Sequence, residues 1–443
     1  MHCSVVIVGG GVTGVATARA LEVDASLYER DAHLGGCLRS DTVGGYTIDR
    51  TGHLLHFRDP YVRNLMFEEL AIDWMHFERR ASVHLLDRRI PYPIQYNLHA
   101  LPDAARTACL ADYTSIKDDP PPLDATFDHW SSGAYGRSLH ELFFAPYNRK
   151  LWQVDLGSMS AEWATRFVPM PDRDLVLGGA HRPHGTANFG YNAQFCYPSR
   201  GGSGAIVNAL AEGVTVPMHT GVELIGIDPV AKMCTFSSGA PVSYDVLVST
   251  IPLPSLVRRI HRADPEIVAL ADGLRHNSVF YFAFGFRVRG AHPPEHWIYV
   301  PEERFAPYRV GLLSAYSPHV APEGSVLVCA EIGCPAGTAA HLDPAALQDR
   351  VLGDLVTMGV VKPDWTLDLV HHGSIDCAYV IYDAHRRTAL PRIQAYLDSL
   401  GILSVGRYGA WGYGSMGDAV VEARDTAARV HTMLGDARRA ART

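Results

Sequence analysis

Apolar and polar residues near the start of the chain follow one another in an order that predicts a strand, a helix and a second strand. Residues 3–8 form a short apolar run rich in β-branched side chains, as expected for a buried strand of a parallel sheet. A helical pattern follows to about residue 21, and the apolar run at residues 25–28 predicts the next strand. The chain therefore begins with a strand-helix-strand unit.

Similar patterns later in the chain predict further elements. Apolar runs predict strands at residues 82–86, 89–92, 222–227, 244–250, 278–287, 325–331 and 402–405. Helical spacing predicts helices at residues 59–70, 138–152, 205–210 and 418–434. Two prolines bar a regular helix from residues 89–98 and predict an extended segment there. Residues 307–311 are interpreted as a polar segment between two strands.

Glycines occupy the first predicted strand-to-helix turn in a G-x-G-x-x-G pattern. The three glycines allow a tight turn, close backbone approach to a pyrophosphate, and close packing of helix on strand. The helix start offers unpaired N–H groups to phosphates. An acidic residue follows the second strand, about 20 residues on, where it can accept hydrogen bonds from ribose hydroxyls. The predicted dinucleotide contacts are Gly9, Gly11, Val12, Thr13, Gly14, Glu29 and Arg30.

A second glycine turn, Gly35-Gly36, follows the acid, and a further block leads to Gly52, His53 and His56. An NAD-binding domain has no need of such an extension. A flavin protein does need it, because the backbone must run close to the pyrophosphate, the ribityl chain and the isoalloxazine ring in turn. These residues therefore indicate FAD. Taken alone, His53 and His56 could be a polar pair at a strand end, and for His56 we prefer that interpretation.

This block resembles the FAD-binding start of the amine oxidase and protoporphyrinogen oxidase superfamily. The piece from Gly52 to His56 resembles the UDP-galactopyranose mutase branch, in which the matching glycine and histidine lie against the flavin ring. The resemblance extends over nearly the whole chain. It implies an α/β fold: a discontinuous Rossmann-like FAD/NAD(P)-binding domain with an inserted α+β substrate domain. We expect the FAD-binding domain at residues 1–60, 196–254 and 396–443, and the substrate domain at 61–195 and 255–395.

The same resemblance implies flavin contacts near the middle and end of the chain. They are Val222, Thr250, Gly406, Arg407, Tyr413, Ser415 and Met416. The last predicted helix would direct its N-terminus toward the pyrimidine end of the flavin, where the helix dipole stabilises an anionic reduced ring.

The branch implies a reaction without net oxidation. In it, N5 of the reduced flavin is the nucleophile that displaces the nucleoside diphosphate from the sugar, so FAD is needed reduced, with NAD(P)H as a possible reductant. Such a site requires cations and hydroxyls for the leaving diphosphate. The residues that match are His53, Tyr147, Lys150, Trp152, Arg166, Arg309 and Tyr379. The expected substrate is a nucleotide-linked sugar.

Three positions depart from the branch, and they leave alternatives open. Met170 stands where a diphosphate-binding arginine is expected, Gly414 replaces a phosphate-contacting tyrosine, and Trp411 occupies another aromatic position. The substrate could then be a different nucleotide sugar, or the enzyme could be an oxidase or dehydrogenase of the amine oxidase or protoporphyrinogen oxidase type. A non-enzymatic FAD-stabilised binding protein is disfavoured by the number of convergent polar residues.

Composition and charge indicate which classes of binding partner are not expected. A net charge of −8 without a basic stripe gives no indication of nucleic-acid binding. No apolar run approaches the roughly 20 residues that span a bilayer. The 8 cysteines include no C-x-x-C pair, so no metal site is expected. With no room for a signal peptide before residue 3, we expect a cytoplasmic protein, either a monomer or a homodimer.

Overall fold

The structure is a computed structural model that describes residues 2–116, 121–122, 124–168, 170–184, 189–190, 193–288, 290 and 292–440. Its strands are β1 His2–Val8, β2 Ala25–Tyr28, β3 Ser40–Val43, β4 Tyr46–Asp49, β5 Trp74–Glu78, β6 Ala81–Leu85, β7 Arg88–Pro91, β8 Gln194–Pro198, β9 Met218–His219, β10 Leu224–Asp228, β11 Met233–Phe236, β12 Val242–Ser249, β13 His276–Arg287, β14 Trp297–Tyr299, β15 Arg309–Leu312, β16 Ser325–Pro335, β17 Thr366–Val380 and β18 Ile402–Ser404.

The α-helices are α1 Val12–Ala20, α2 Pro60–Asn64, α3 Asp103–Thr114, α4 Phe127–Tyr135, α5 Arg137–Leu139, α6 Ala145–Trp152, α7 Ala164–Phe167, α8 Arg173–Gly179, α9 Gly204–Glu212, α10 Leu253–Val257, α11 Pro265–Asp272, α12 Pro344–Thr357, α13 Ala384–Ser399, α14 Gly406–Gly409 and α15 Met416–Ala440. A π-helical turn, His140–Phe144, joins α5 to α6. A second π-helical turn, Leu65–Glu69, extends α2.

The first sheet is mainly parallel and covered on both faces. Its order is β10-β11-β12-β1-β2-β9, with β18 paired to the end of β12. Val5 and Ile7 of β1 pack on the face that α1, α9 and α15 cover. Val6 and Val8 pack on the opposite face, under α10, α11 and α13. Burial on both faces explains why β1 is continuously apolar instead of alternating.

The second sheet is mainly antiparallel, with the order β17-β13-β16-β15-β14-β6-β7. On one face, phenylalanines of β13 pack against α12. On the other, Tyr281 and Ala283 of β13 pack against Tyr46 and Ile48 of the β3–β4 hairpin. That hairpin belongs to the N-terminal glycine-rich block, so it joins the second sheet to the nucleotide-binding turns.

Most predicted elements are present, with three differences. The polar segment expected between two strands is itself partly a strand: Arg309 is the first residue of β15, in which residues 309–311 pair with β14 and residues 309–312 pair with β16. The segment expected to be extended contains short 3-10 turns, Ile94–Tyr96 and Leu98–Ala100, which proline does not prevent. The strand predicted from residue 222 begins at Leu224.

The predicted α/β class, with a Rossmann-like unit and a second α+β unit, is confirmed. The first sheet takes its strands from residues 2–28, 218–249 and 402–404. The exact domain boundaries given above stay a prediction. Among the described helices, none is long and apolar enough to cross a membrane.

Candidate active site

A cavity of about 500 Å³ lies at the carboxyl ends of β1, β2 and β12. Val8 and Gly9 line it from the end of β1, Glu29 from the end of β2, and Thr250 from the end of β12. The far wall comes from β17 of the second sheet. Ligands of open parallel α/β sheets bind at this edge, beyond the carboxyl ends of the strands.

The three glycines of the first turn have different structural roles. Gly9 has a φ of +104°, and a Cβ there would lie 2.3 Å from Thr250 Oγ1. A Cβ at Gly14 would lie 1.9 Å from the carbonyl oxygen of Gly9. A Cβ at Gly11 would meet no protein atom within 4 Å, although Gly11 lines the cavity. The fold itself therefore requires Gly9 and Gly14, whereas the open space beside Gly11 is available to a ligand.

Glu29 holds two turns at the cavity wall. Its Oε2 accepts a hydrogen bond of 2.6 Å from Gly10 N, and its Oε1 accepts one of 2.8 Å from Asp31 N. Its backbone oxygen accepts a further bond of 2.8 Å from Val222 N. Each carboxylate oxygen retains a second lone pair, so the side chain can also accept from ribose hydroxyls.

The C-terminal segment closes the cavity from a third direction. Gly406 has a φ of +78° and packs against Thr13, since a Cβ there would lie 2.8 Å from Thr13 Oγ1. Ser415 and Asp418 cap the start of α15, where Asp418 Oδ2 accepts from Ser415 N at 2.6 Å and from Ser415 Oγ at 2.7 Å. Ser415 and Met416 line the cavity, so the positive end of the α15 dipole is close to it.

Whether FAD fits the cavity can be judged from the buried polar atoms in its wall. His53 Nδ1, Arg407 Nε and Trp411 Nε1 are buried and have no hydrogen-bond partner among the described residues. Buried polar groups in folded proteins nearly always have one. The oxygens and nitrogens of an isoalloxazine ring offer suitable partners, and the glycine turns offer a cradle for the pyrophosphate and adenosine. The residues present therefore fit FAD.

Arg309 belongs to a buried ion pair next to the cavity. Its Nε donates to Glu331 Oε1 at 3.0 Å, and its Nη2 donates to Glu331 Oε2 at 2.7 Å. Tyr308, which lines the cavity, donates its hydroxyl to Glu331 Oε2 at 2.5 Å. Burial lowers the pKa of Arg309, but Glu331 together with tyrosines 379, 308 and 147 raises it well above its ordinary value. The guanidinium is therefore fixed and permanently charged.

Arg407 lies within a group of tyrosine rings. Its guanidinium carbon is 4.7 Å from the ring centroid of Tyr413 and 5.2 Å from that of Tyr379. No carboxylate of the described residues lies within 4.0 Å of it. Burial lowers the pKa of Arg407, but tyrosines 408, 413 and 379 outweigh this and raise it. Arg407 is therefore a buried cation stabilised by aromatic faces, without an anionic partner from the described chain.

Burial, with a smaller contribution from the cations Arg407 and Arg309, lowers the pKa of His53 to about 3. His53 is thus a neutral imidazole at neutral pH, a state in which one ring nitrogen donates and the other accepts a hydrogen bond. His53 and Arg407 both line the cavity, and Arg309 is close enough for its charge to act on His53.

Most residues predicted to contact the cofactor line this cavity. They are Gly9, Gly11, Val12, Thr13, Glu29, Arg30, Gly35, Gly36, His53, Val222, Thr250, Gly406, Arg407, Ser415 and Met416. Gly14 supports the turn from behind. Gly52 does not line the cavity, and a Cβ there would make ordinary contact with Tyr316 at 3.6 Å. Tyr413 contacts Arg407 from outside the wall.

The residues predicted to meet substrate divide into two sets. Tyr379 lines the cavity, and Trp152 packs against its ring at a centroid distance of 5.5 Å. Tyr147 packs against Tyr299 at 5.3 Å and Tyr308 at 6.2 Å. Together with Arg309 and His53, these side chains form one cluster.

Arg166 and Lys150 lie apart from this cluster. Arg166 Nη2 bonds both oxygens of Asp418, at 2.5 and 2.6 Å, in a neighbouring cleft. Lys150 donates to three backbone oxygens.

Sequence reasoning predicted Tyr379 of the second sheet but missed Glu331, Tyr308 and Tyr299. Glu331 is 1% exposed and stands inside an otherwise apolar strand. A single acid in such a run is a signal, because a buried carboxylate needs a cationic partner. Trp411 was noted only as a departure, yet it lines the cavity with an indole N–H that has no acceptor among the described residues.

Comparison with known proteins agrees with this geometry. Residues 12–431 match the model of the family described as flavin containing amine oxidoreductase. The chain belongs to that family. Since the match covers almost the whole chain and the cavity fits the cofactor, the protein is an FAD-dependent flavoprotein of the amine oxidase superfamily.

Similar solved structures differ in activity. A crystal structure of reduced UDP-galactopyranose mutase has a TM-score of 0.90 and 28% identity, covering 98% of this chain and 94% of that one. A putative protoporphyrinogen oxidase from Exiguobacterium sp. 255-15 has a TM-score of 0.74 and 19% identity, covering 97% and 98%. Putrescine oxidase bound to putrescine has a TM-score of 0.65 and 16% identity, covering 98% and 99%. The two oxidases share the fold.

Proposed function

We propose that this flavoenzyme is a pyranose/furanose mutase that acts on a nucleotide-linked sugar with reduced FAD. The observation that carries the proposal is the charge of the site. Two guanidinium groups, Arg309 and Arg407, stand beside the cavity, and Glu331 is the buried carboxylate that pairs with one of them. Arg309 has a guanidinium edge beyond its contacts with Glu331, and Arg407 adds a second positive charge. The site therefore favours anionic groups, both the flavin cofactor and a substrate such as a nucleoside diphosphate sugar.

The position of Arg407 argues against an amine as substrate. The rings of Tyr379 and Tyr413 have centroids 5.7 Å apart, so one cation beside the pair can contact both rings. Arg407 already contacts both rings, so a cationic amine would meet a like charge there. The similarity to the mutase, at 28% identity over nearly both full chains, supports the same conclusion.

Each residue of the cluster has a role in this proposal. Bound FAD, when reduced, supplies the nucleophile that displaces the diphosphate from the sugar. Arg309 would bind the leaving diphosphate through its free guanidinium edge while Glu331 fixes its orientation. Tyr379 and Tyr147 would donate hydroxyl hydrogen bonds to the same charge. Neutral His53 and cationic Arg407 would bind and orient the flavin.

Oxidation by a protoporphyrinogen oxidase type of reaction is the second candidate. It is favoured by two departures from the mutase pattern. Met170 is 40% exposed at the position where a diphosphate-binding arginine is expected, and Gly414 has no hydroxyl to offer a phosphate. These departures bear on substrate identity more than on charge, because Arg309 and Arg407 are both present.

The test is turnover by the reduced and oxidised forms of the same preparation. The protein is loaded with FAD, one half is reduced with dithionite under anaerobic conditions, and both halves are offered a panel of nucleotide hexoses. We expect ring-contracted product from the reduced half alone. Product formation by oxidised enzyme, coupled to bleaching of the flavin, would instead establish an oxidase. The cytoplasmic location, the monomeric or dimeric state and the use of NAD(P)H as reductant stay predictions.

A further inference from the structure

Lys150 has all three ammonium donors engaged by the protein. Its Nζ donates to Val300 O at 2.9 Å, to Glu302 O at 3.0 Å and to Pro307 O at 2.7 Å. A lysine ammonium has three hydrogens and accepts no hydrogen bond, so none is left for a substrate. The Lys150 ammonium therefore holds the backbone of residues 300–307, the segment immediately before Tyr308 and Arg309.

We propose that Lys150 is a positioning residue that holds the 300–307 segment so that Tyr308 and Arg309 reach Glu331, and that it does not contact substrate itself. This proposal rests on the proposed function only in giving Arg309 a ligand to bind. The positioning role is a property of the protein alone.

The opposite side of the segment is also held. Asp354 Oδ2, on α12, accepts a hydrogen bond of 2.7 Å from Ala306 N. Tyr308 N donates to Glu331 O at 2.8 Å, and Val300 N donates to Tyr308 O at 2.8 Å. Lys150 thus donates hydrogen bonds to carbonyl groups of the segment, and Asp354 accepts a hydrogen bond from one of its N–H groups. The two side chains act together to define one backbone conformation.

Lys150 is itself fixed relative to Glu331. A Cβ added at Gly333 would lie 2.1 Å from the carbonyl oxygen of Lys150, so α6 and β16 are in direct backbone contact. Gly333 is two residues from Glu331 on the same strand. The Lys150 ammonium and the Glu331 carboxylate are therefore carried by two elements in direct backbone contact, and residues 300–309 interact with both groups.

The charge state of Lys150 decides whether the segment is held. A neutral amine has two hydrogens and directs its lone pair at the third carbonyl, which is repulsive. Burial is the main cause that lowers the pKa of Lys150. Asp354, Glu302 and Glu303 oppose this shift and Arg350 adds to it, and the resulting pKa is about 7. Raising the pH through neutrality should therefore loosen the segment.

The test uses the full-length, FAD-loaded, oxidised protein with Lys150→Met, and Lys232→Met as the matched control. Lys232 is a surface lysine whose Nζ meets a single carbonyl, Asp245 O, at 3.2 Å. Two quantities are measured: hydrogen–deuterium exchange of the peptide that covers residues 300–309, and the Kd of UDP as a nucleoside diphosphate probe. We expect at least tenfold faster exchange and at least tenfold weaker UDP binding in Lys150→Met, with an unchanged flavin spectrum. Lys232→Met should match the wild type.

The pH dependence adds a readout that a general structural role would not alter. The terminal phosphate of UDP ionises at about pH 6 and affects both proteins alike, so the readout is the ratio of the two affinities. The advantage of the wild type over Lys150→Met should shrink as the pH rises from 6 to 8.5. Asp354→Asn provides a second variant, which should speed exchange in the same peptide even if Lys150→Met does not fold.

Three results would overturn the proposal. They are unchanged exchange at residues 300–309, loss of UDP binding without any change in that exchange, and an equal rise of exchange in β1 and β2, which would indicate global destabilisation. If the wild type does not bind UDP, the exchange measurement still decides the role of Lys150, and only the proposed function fails.

Discussion

Glu331 of β16 and Arg309 of β15 stand directly opposite each other and are joined by two hydrogen bonds of 3.0 and 2.7 Å. Glu331 is 1% exposed, and its second hydrogen-bond donor is Tyr308. The pair fixes one face of the guanidinium and leaves the rest available to a ligand. A carboxylate buried in this way is an electrostatic requirement of the arginine beside it.

Glu331→Gln should therefore destabilise the protein strongly, because it leaves Arg309 as a buried cation without a counter-charge. We expect the free energy of unfolding to fall by about 3–5 kcal/mol, as for other broken buried pairs. Urea denaturation measures it. Asp87→Asn is the matched control, since it breaks the exposed pair with Arg304 and should change the free energy by less than about 1 kcal/mol. Equal effects of the two variants would contradict a special role for the buried pair.

Gly11→Val should abolish FAD binding without damage to the fold. The new side chain would meet no protein atom at its Cβ, so the apoprotein should unfold at the wild-type urea concentration. The side chain would occupy space in the cavity that the pyrophosphate needs. Gly14→Ala is the contrasting variant, because its Cβ would collide with Gly9 O and should destabilise the apoprotein. Normal FAD affinity in Gly11→Val would place the cofactor elsewhere.

Glu29→Ala should weaken FAD binding by about 1–3 kcal/mol, the range for buried hydrogen-bonding groups left without a partner. It removes an acceptor for the ribose and also frees Gly10 N and Asp31 N, which shape the turn. Fluorescence titration of the apoprotein with FAD measures the change. An unchanged Kd would show that Glu29 has a structural role alone.

The glycine pattern allowed the cofactor site to be predicted, because each motif there is local in sequence. Gly9, Gly11 and Gly14 follow one strand, and Glu29 follows the next, so short-range patterns were sufficient. The tyrosine and arginine cluster is different. Arg309 was found by resemblance, but its pairing with Glu331 depends on strand register across the second sheet.

The features of the site that could not be predicted depend on partners that lie far apart in the sequence. Arg166 meets Asp418, which is 252 residues away in sequence, and Lys150 meets carbonyls some 150 residues away. Backbone carbonyls carry no sequence signal, so a lysine that binds them looks identical to one that binds substrate. Only the three-dimensional structure distinguishes these two kinds of lysine.

His296 should make the stability of the protein depend on pH. Burial, with a smaller contribution from Arg80, lowers its pKa to about 3. Between pH 6.5 and about 3 the unfolded chain binds a proton that the folded chain does not, so stability falls as the pH falls. The loss from this residue is at most about 1.4 kcal/mol per pH unit.

Urea denaturation at pH 7 and pH 5 tests this for His296→Gln. The variant should lose less stability than the wild type on acidification, while His2→Gln, at the exposed start of β1, should behave as the wild type. Parallel pH dependence in all three proteins would contradict the burial argument.

The central claim is that the enzyme converts an anionic nucleotide sugar without net oxidation. The most direct measurement follows flavin absorbance near 450 nm and product formation together, in anaerobic, dithionite-reduced enzyme supplied with a nucleotide hexose. The account predicts many turnovers per enzyme, with the flavin still reduced and no electron acceptor consumed. Turnover that starts from oxidised flavin, bleaches it, and requires one acceptor molecule per product would contradict the claim and establish an oxidase.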